Sequence, residues 1–259
     1  MLERELPLFG LSFFADGVAA AAEAAIQKRA LVFTPNAEML CRALRTPAFF
    51  GQLERATLLL PDGVGVTLAA ALQGKQLPRA AGVEFGEEVA AHLAAHGGSL
   101  FLYGGREGVA ARAAERLSAR HRGLVIAGSC HGYGGAAAES ALLDRLRTEP
   151  PAVLFVCLGS PRQETVAAEF KTHLPHTAIA ALGGSLDLYA GDLRRAPRIF
   201  RACGCEWLWR VLCEPRRIRR MWALPLFLLY AVRAAAVFWW KVYRTRGKAK
   251  ESSVKNHKI

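Results

Sequence analysis

Asp62 stands in Pro61-Asp62-Gly63, directly after the apolar run Thr57–Leu60. A carboxylate at a strand end, partly desolvated, has its pKa raised towards neutrality and can take a proton from an attacking hydroxyl. A Pro-Asp-Gly turn also needs no function to exist, so the local sequence leaves both readings open. Asn36, in Thr34-Pro35-Asn36-Ala37-Glu38, and Gln163, in Gly159-Ser160-Pro161-Arg162-Gln163-Glu164, carry a similar pair of readings. Each is a helix-start residue or a neutral hydrogen-bonding group for a sugar hydroxyl. Asp187, in Gly183-Gly184-Ser185-Leu186-Asp187, reads as a helix cap or as a holder of a nucleoside. His131 and Tyr133 lie in a glycine loop and read as surface residues.

Spacing argues against several other chemistries. Gly63-Val64-Gly65 has Leu68 where a dinucleotide fingerprint would place its third glycine, and no GxxxxGK[ST] occurs. The five aspartates form no Asp-x-Asp, the metal-carboxylate clamp many sugar-nucleotide enzymes use for a diphosphate. A diphosphate bound here would have to be neutralised by backbone amides and arginines. The six cysteines form no CxxC pair, so neither a metal site nor a cofactor is expected. Cys157 lies in an apolar run and reads as a buried small hydrophobe. Cys203-Gly204-Cys205 reads as reduced thiols rather than a redox pair.

These residues follow short apolar runs that alternate with alanine-rich stretches. Strands are expected at Ala30–Thr34, Ala56–Leu60, Ser99–Tyr103, Gly123–Ala127, Ala152–Leu158 and Thr177–Leu182. Helices are expected between them, at Ala37–Leu44, Gly63–Leu72, Phe85–His96, Val109–Arg120, Glu139–Leu146 and Arg162–Phe170. Near-continuously apolar strands separated by helices imply a parallel sheet covered on both faces. The expected class is α/β, doubly wound and Rossmann-like, with ligands at the carboxyl ends of the strands. Nearly every strand ends in a polar or Gly-rich turn, including Gly104-Gly105, Gly159 and Gly183. Such glycines let a backbone approach a phosphate at a helix N-terminus. The longest expected loop is His131–Ala137, with three glycines.

Charge divides the 259-residue chain. Residues 1–193 hold 17 basic and 19 acidic side chains, net −2, whereas residues 194–259 hold 17 basic and 3 acidic, net +14. The expected organisation is an α/β body over 1–193 and a basic, apolar, helical appendage over 194–259. The appendage contains Glu214-Pro215-Arg216-Arg217-Ile218-Arg219-Arg220 and then Met221–Trp240, apolar except for Arg233. Its unbroken apolar run is 12 residues, short of the ~20 that span a bilayer. On a helical wheel Arg219, Arg220, Arg233, Lys241 and Arg244 fall within an arc of roughly 140°, with Leu224, Leu228, Val232 and Trp239 opposite. That pattern suits a helix lying in a membrane interface; a spanning helix and a core or oligomer-interface helix are the alternatives. A nucleic-acid-binding body would spread positive charge over its own surface, so nucleic acid is not the expected partner. Met1-Leu2-Glu3-Arg4-Glu5 lacks the features of a signal peptide, which places the body in the cytoplasm.

In order, Thr34-Pro-Asn36-Ala-Glu-Met-Leu, Pro61-Asp62-Gly63-Val-Gly65-Val, Arg79-Ala-Ala-Gly82-Val, Tyr103-Gly-Gly105, His131-Gly-Tyr133, Leu158-Gly-Ser-Pro161-Arg-Gln163-Glu164, Gly183-Gly184-Ser-Leu-Asp187, Arg195-Ala-Pro197 and Glu206-Trp207-Leu-Trp-Arg210…Glu214-Pro215-Arg216-Arg217 resemble the WecG/TagA/CpsF glycosyltransferase family, over about residues 5–225. The resemblance implies a bacterial, inverting, metal-independent hexosyltransferase of cell-envelope polysaccharide synthesis. It implies a UDP-sugar donor, often UDP-N-acetylmannosamine or its uronic acid. It implies an acceptor sugar on undecaprenyl diphosphate, typically N-acetylglucosamine, and a position at the cytoplasmic face of the inner membrane. By motif, Asp62 takes the general-base role. Thr34, Asn36, Arg79, Gln163 and Asp187, with Gly104, Gly105, Gly159 and Gly183, line the substrate crevice. Arg210, Arg216, Arg217, Arg219 and Arg220 are expected to meet the lipid diphosphate. Homo-oligomers occur among such proteins.

The sequence departs from the family pattern at Gly82-Val83-Glu84, where Gly-Val-Asp is usual, and at Gly183-Gly-Ser-Leu-Asp187, where Gly-Gly-Ala-Phe-Asp is usual. These departures bear on sugar identity, not on reaction type. The alternatives are transfer of glucose or glucuronate to a longer lipid-linked oligosaccharide in exopolysaccharide assembly, and a non-catalytic membrane scaffold.

Overall fold

The computed structural model describes residues 4–197, 199–200, 206–213 and 222–256, with side chains to residue 244 except those of Arg210 and Cys213. The chain opens with an antiparallel hairpin, β1 (Glu5–Leu8) and β2 (Leu11–Phe14), in which Leu8 faces Leu11. Six further strands follow: β3 (Leu31–Phe33), β4 (Leu58–Leu59), β5 (Ser99–Gly104), β6 (Val125–Cys130), β7 (Val153–Cys157) and β8 (Ala178–Ala181). All six pair in parallel, in the order β4-β3-β8-β7-β5-β6. Every residue of β3, β7 and β8 is buried, as strands covered on both faces require.

The helices of the body are α1 (Val18–Gln27), α2 (Ala37–Ala43), α3 (Pro47–Glu54), α4 (Val64–Ala71) and α5 (Gly82–His96), then α6 (Val109–Arg120), α7 (Gly135–Thr148), α8 (Arg162–His173) and α9 (Ser185–Ala190). They form two cores, one on each face of the sheet. Phe33, Phe101, Leu154 and Ile179 point into the first, with Leu40, Phe49, Leu146 and Phe170 from α2, α3, α7 and α8. Val32, Leu100, Phe155 and Ala180 point into the second, with Phe85, Leu117 and Tyr189 from α5, α6 and α9. Alternate residues of one strand thus feed opposite cores, the period-2 rule of a pleated strand. The expected doubly wound α/β class is what the chain adopts.

Of the expected boundaries that move, two lie beside glycine turns. The fourth strand of the sheet lies at Val125–Cys130 rather than Gly123–Ala127, because Gly123, at φ 96°, belongs to the turn that follows α6. The loop expected over His131–Ala137 ends early, since α7 already begins at Gly135.

Between β5 and β7 the direction of winding reverses. β5 leads through α6, in the second core, out to β6, whereas β7 leads through α8, in the first core, towards β8 and β3. Reversals of this kind open a crevice at the carboxyl ends of the strands.

The appendage contributes α10 (Glu206–Cys213) and α11 (Ala223–Asn256). The segment Ala223–Arg244 is long and apolar enough to cross a membrane, so the 12-residue limit read from the sequence was too short a measure. Yet α11 is docked on the body. Phe227, Ala231 and Ala235 are buried, the Phe227 ring meets Phe9 edge-on at 5.5 Å, and Trp239 Nε1 donates to Leu72 O at 2.9 Å. From Phe227 to Trp239 the docked stretch runs about 18 Å. Over that length one face of the helix is set against protein and the rest is exposed. The docked face also takes part of the apolar arc assigned to a membrane on the helical wheel, because Leu224 and Trp239 turn to the body. The outward face mixes Leu229, Val232 and Trp240 with Arg233 and Arg244.

Candidate active site

Three backbone segments are stitched together at one end of the sheet. The turn after β3 and the turn after β4 are joined by Asp62 N donating to Pro35 O at 3.2 Å. The latter turn and the loop leading to α5 are joined by Ala80 N donating to Pro61 O at 2.9 Å. These bonds bring Asn36, Asp62 and Arg79 into one cavity of about 420 Å³. Asn36 caps α2, its Oδ1 accepting from Met39 N at 3.0 Å. It is thus the helix-start residue, and it also lines the cavity.

The rest of the cavity is built by α4 and the appendage. Leu68 and Ala69 of α4 face Trp207 and Val211 of α10, with Leu224, Phe227, Leu228 and Ala231 of α11 completing the wall. The cavity is polar at one end and apolar along its length.

At the polar end Arg79 donates to Glu206 Oε2 at 2.6 Å and to Glu84 Oε1 at 3.0 Å. Arg195 also bonds Glu84 and approaches Glu206 at 3.9 Å. Burial alone would lower the Arg79 pKa, but Glu206, Glu84 and Asp62 outweigh it and raise the value above its ordinary one. Three carboxylates, Asp62, Glu84 and Glu206, thus act on two guanidinium groups, Arg79 and Arg195. This end carries no positive excess among the described residues.

The remaining sequence-predicted residues lie along the neighbouring strand ends, outside the cavity. Thr34 is buried, its hydroxyl donating to Ala181 O at 3.2 Å, and it lies beneath Gly82 at the start of α5. Gln163 is 3% exposed. Its Oε1 accepts from Gly159 N at 3.2 Å and Gly183 N at 2.9 Å, and its Nε2 donates to Glu164 Oε1 at 2.7 Å. The amide is a tie between two turns, and its acceptor is already engaged within the protein. Gly104 and Gly105 lie at the winding reversal, where Gly105 N donates to Cys157 O at 3.2 Å. A Cβ at Gly104, whose φ is 134°, would fall 2.2 Å from that same carbonyl, so only glycine lets the two strand ends approach so closely. Asp187 is half-buried in the first turn of α9. Tyr133 is exposed as expected. Cys157 is buried, its thiol pushed up to about 12 by burial.

Arg216, Arg217, Arg219 and Arg220, like Cys203 and Cys205, lie outside the described residues; Arg210 lies on α10 and its side chain is outside them too. Among the described residues no three His, Cys, Asp or Glu side chains gather as metal ligands. The sequence reading assigned no role to Glu206 and Trp207, which α10 brings into the cavity, nor to Glu84 and Arg195. One signal was present: Glu206 is one of three acidic residues in 194–259, and it opens the helix that carries Trp207 and Val211.

The sequence model of the glycosyl transferase WecG/TagA/CpsF family matches residues 7–240. A protein of Bacillus spizizenii, N-acetylglucosaminyldiphosphoundecaprenol N-acetyl-beta-D-mannosaminyltransferase, is 33% identical over 202 residues, 78% of this chain and 78% of that protein.

Proposed function

The chain belongs to the WecG/TagA/CpsF glycosyltransferase family, and from that premise we propose that it moves an N-acetylmannosaminyl group, or its uronic acid, from a UDP-sugar to N-acetylglucosamine on undecaprenyl diphosphate, with inversion. The observation that carries this reading is the cavity holding Asp62, Asn36 and Arg79 at a polar end and α4, α10 and α11 as an apolar wall.

The acceptor sugar enters the polar end. Asp62 accepts the proton of its attacking hydroxyl as the new bond forms at C1 of the donor sugar. The bond from C1 to the UDP oxygen breaks in the same displacement, which inverts the anomeric centre. Asn36 and Arg79 orient the sugars. The nucleoside diphosphate lies over Gly104, Gly105, Gly159 and Gly183, where the winding reversal opens the crevice and the absence of side chains lets it approach the backbone. Thr34 and Gln163 support those turns from below, and Asp187 stands beside them.

The appendage holds the enzyme to the cytoplasmic surface of the inner membrane as a peripheral protein. Support comes from the outward face of α11, where Leu229, Val232 and Trp240 accompany Arg233 and Arg244. Arg210, Arg216, Arg217, Arg219 and Arg220 supply cations for the lipid diphosphate.

The test is UDP release from a panel of UDP-sugars, without added metal, using a short-chain lipid-diphosphate N-acetylglucosamine acceptor. Release from one N-acetylated donor that needs the acceptor supports the reading. Release from UDP-glucose or UDP-glucuronate alone reassigns the donor, and release from none removes the catalytic reading.

A further inference from the structure

The apolar wall of the cavity is larger than a sugar needs. It forms a slot between Leu68 of α4 and Phe227, Leu228 and Ala231 of α11, with Leu68 and Leu228 each 47% exposed. Past Leu68 the slot runs into a second groove of about 600 Å³, floored by Ala71 and Leu77. Lys75, on the rim of that groove, is held by the neutral oxygens Pro7 O and Gln73 Oε1. The path therefore begins beside Asp62, passes the apolar side chains Val64, Leu68 and Ala71 of α4 with Thr67 among them, and ends at two cations, Arg4 and Lys75, the latter 5.1 Å from the Phe238 ring of α11.

We propose that this slot holds the first isoprenoid units of the acceptor lipid, so that the hydrocarbon lies along α4 while its sugar reaches Asp62. The proposal rests on the transferase reading above and adds to it the place of the lipid chain. An apolar slot continuous with an acid/base site offers nothing to a nucleotide or a second sugar, whereas a chain drawn from a bilayer loses little by exchanging lipid for protein walls. Lys75 at the outer end matches the anionic headgroups that such a chain leaves behind.

The experiment uses the full chain and two acceptors, N-acetylglucosamine diphosphate capped by methyl and the same group carried on farnesyl. The parent is expected to prefer the farnesyl acceptor in kcat/KM by at least tenfold. Leu68→Glu, at a half-exposed position, is expected to abolish that preference, and Leu68→Met to keep it. Binding of farnesyl monophosphate, followed through tryptophan fluorescence because Trp207 lines the cavity, reads the slot without any turnover. It is expected to weaken at least tenfold in Leu68→Glu. Farnesyl binding that depends on Leu68, with no transfer from any donor, keeps the slot and removes the transferase reading. Transfer that ignores the farnesyl chain in the parent, or a preference unchanged in Leu68→Glu, overturns the slot. So does a parent dimer that Leu68→Glu converts to monomer, since a second copy then fills it.

Discussion

Arg79 Nη1 donates to Glu206 Oε2 at 2.6 Å, joining residues 127 positions apart in the chain. The bond fastens α10 to the loop that is itself bonded to the Asp62 turn, so α10 forms part of the cavity wall. Glu206→Ala removes one of the two carboxylates that hold Arg79. Both side chains are about three-quarters buried, so the expected loss is about 1 kcal/mol after solvent screening. Limited proteolysis checks it: cleavage within 206–213 should quicken in Glu206→Ala and much less in Glu206→Gln. Equal cleavage rates would mean that α10 is held by its apolar contacts alone.

Asp62→Asn preserves shape and removes the base. With the proposed donor and acceptor, kcat is expected to fall about 10²–10⁴-fold while both KM values stay within a few-fold. Parent-like turnover would assign the proton to another group and favour the scaffold reading if no donor is consumed by either protein.

Glu164 is fully buried and raised above the ordinary carboxylate range, first by burial, with the Gln163 and Ser160 side chains pulling the other way. A carboxyl whose folded pKa exceeds its unfolded one binds more protons when folded, so stability falls as pH rises from about the unfolded value of 4.5 towards the folded value. Glu164→Gln keeps an oxygen for Gln163 and deletes the titration. The difference in Tm between Glu164→Gln and the parent should therefore move in favour of the variant as pH rises above about 4.5. A difference that is flat with pH would show that Glu164 titrates alike in both states. Glu164→Leu removes the oxygen that orients Gln163, and the donor KM is expected to rise about tenfold as the Gly159 and Gly183 turns loosen.

Gly104→Ala places a methyl carbon against Cys157 O at a φ that L-residues avoid. The expected loss is at least about 2 kcal/mol by urea denaturation. A variant as stable as the parent would show that the β5 and β7 ends separate easily.

Leu229→Glu with Trp240→Glu alters only the outward face of α11. Co-sedimentation with vesicles of anionic lipid should drop at least tenfold, with little change in Tm. Undiminished sedimentation would move membrane contact to another surface.

The sheet was legible because strands buried on both faces must be apolar throughout, as β7 is from Val153 to Cys157. The hairpin of β1 and β2 was not. Its two-residue turn is Phe9-Gly10, with φ of 56° and 85°, where Asn-Gly or Asp-Gly is the recognisable pair for such a turn. Asn36 and Asp62 were legible as polar residues directly after strands. Gln163 was legible as a polar position, but nothing local shows that its oxygen serves turns 4 and 20 residues away. Glu206 escaped because its partner Arg79 is set by tertiary docking and by no spacing along the chain.

A helix lying along the body for some 18 Å, with apolar side chains and arginines on its outer side, changes the dimension in which this enzyme meets its acceptor. On the proposed membrane arrangement the encounter takes place within a surface. Velocity then follows the mole fraction of acceptor among the lipids, not its amount per volume, and diluting the acceptor with inert lipid at constant total acceptor slows the reaction.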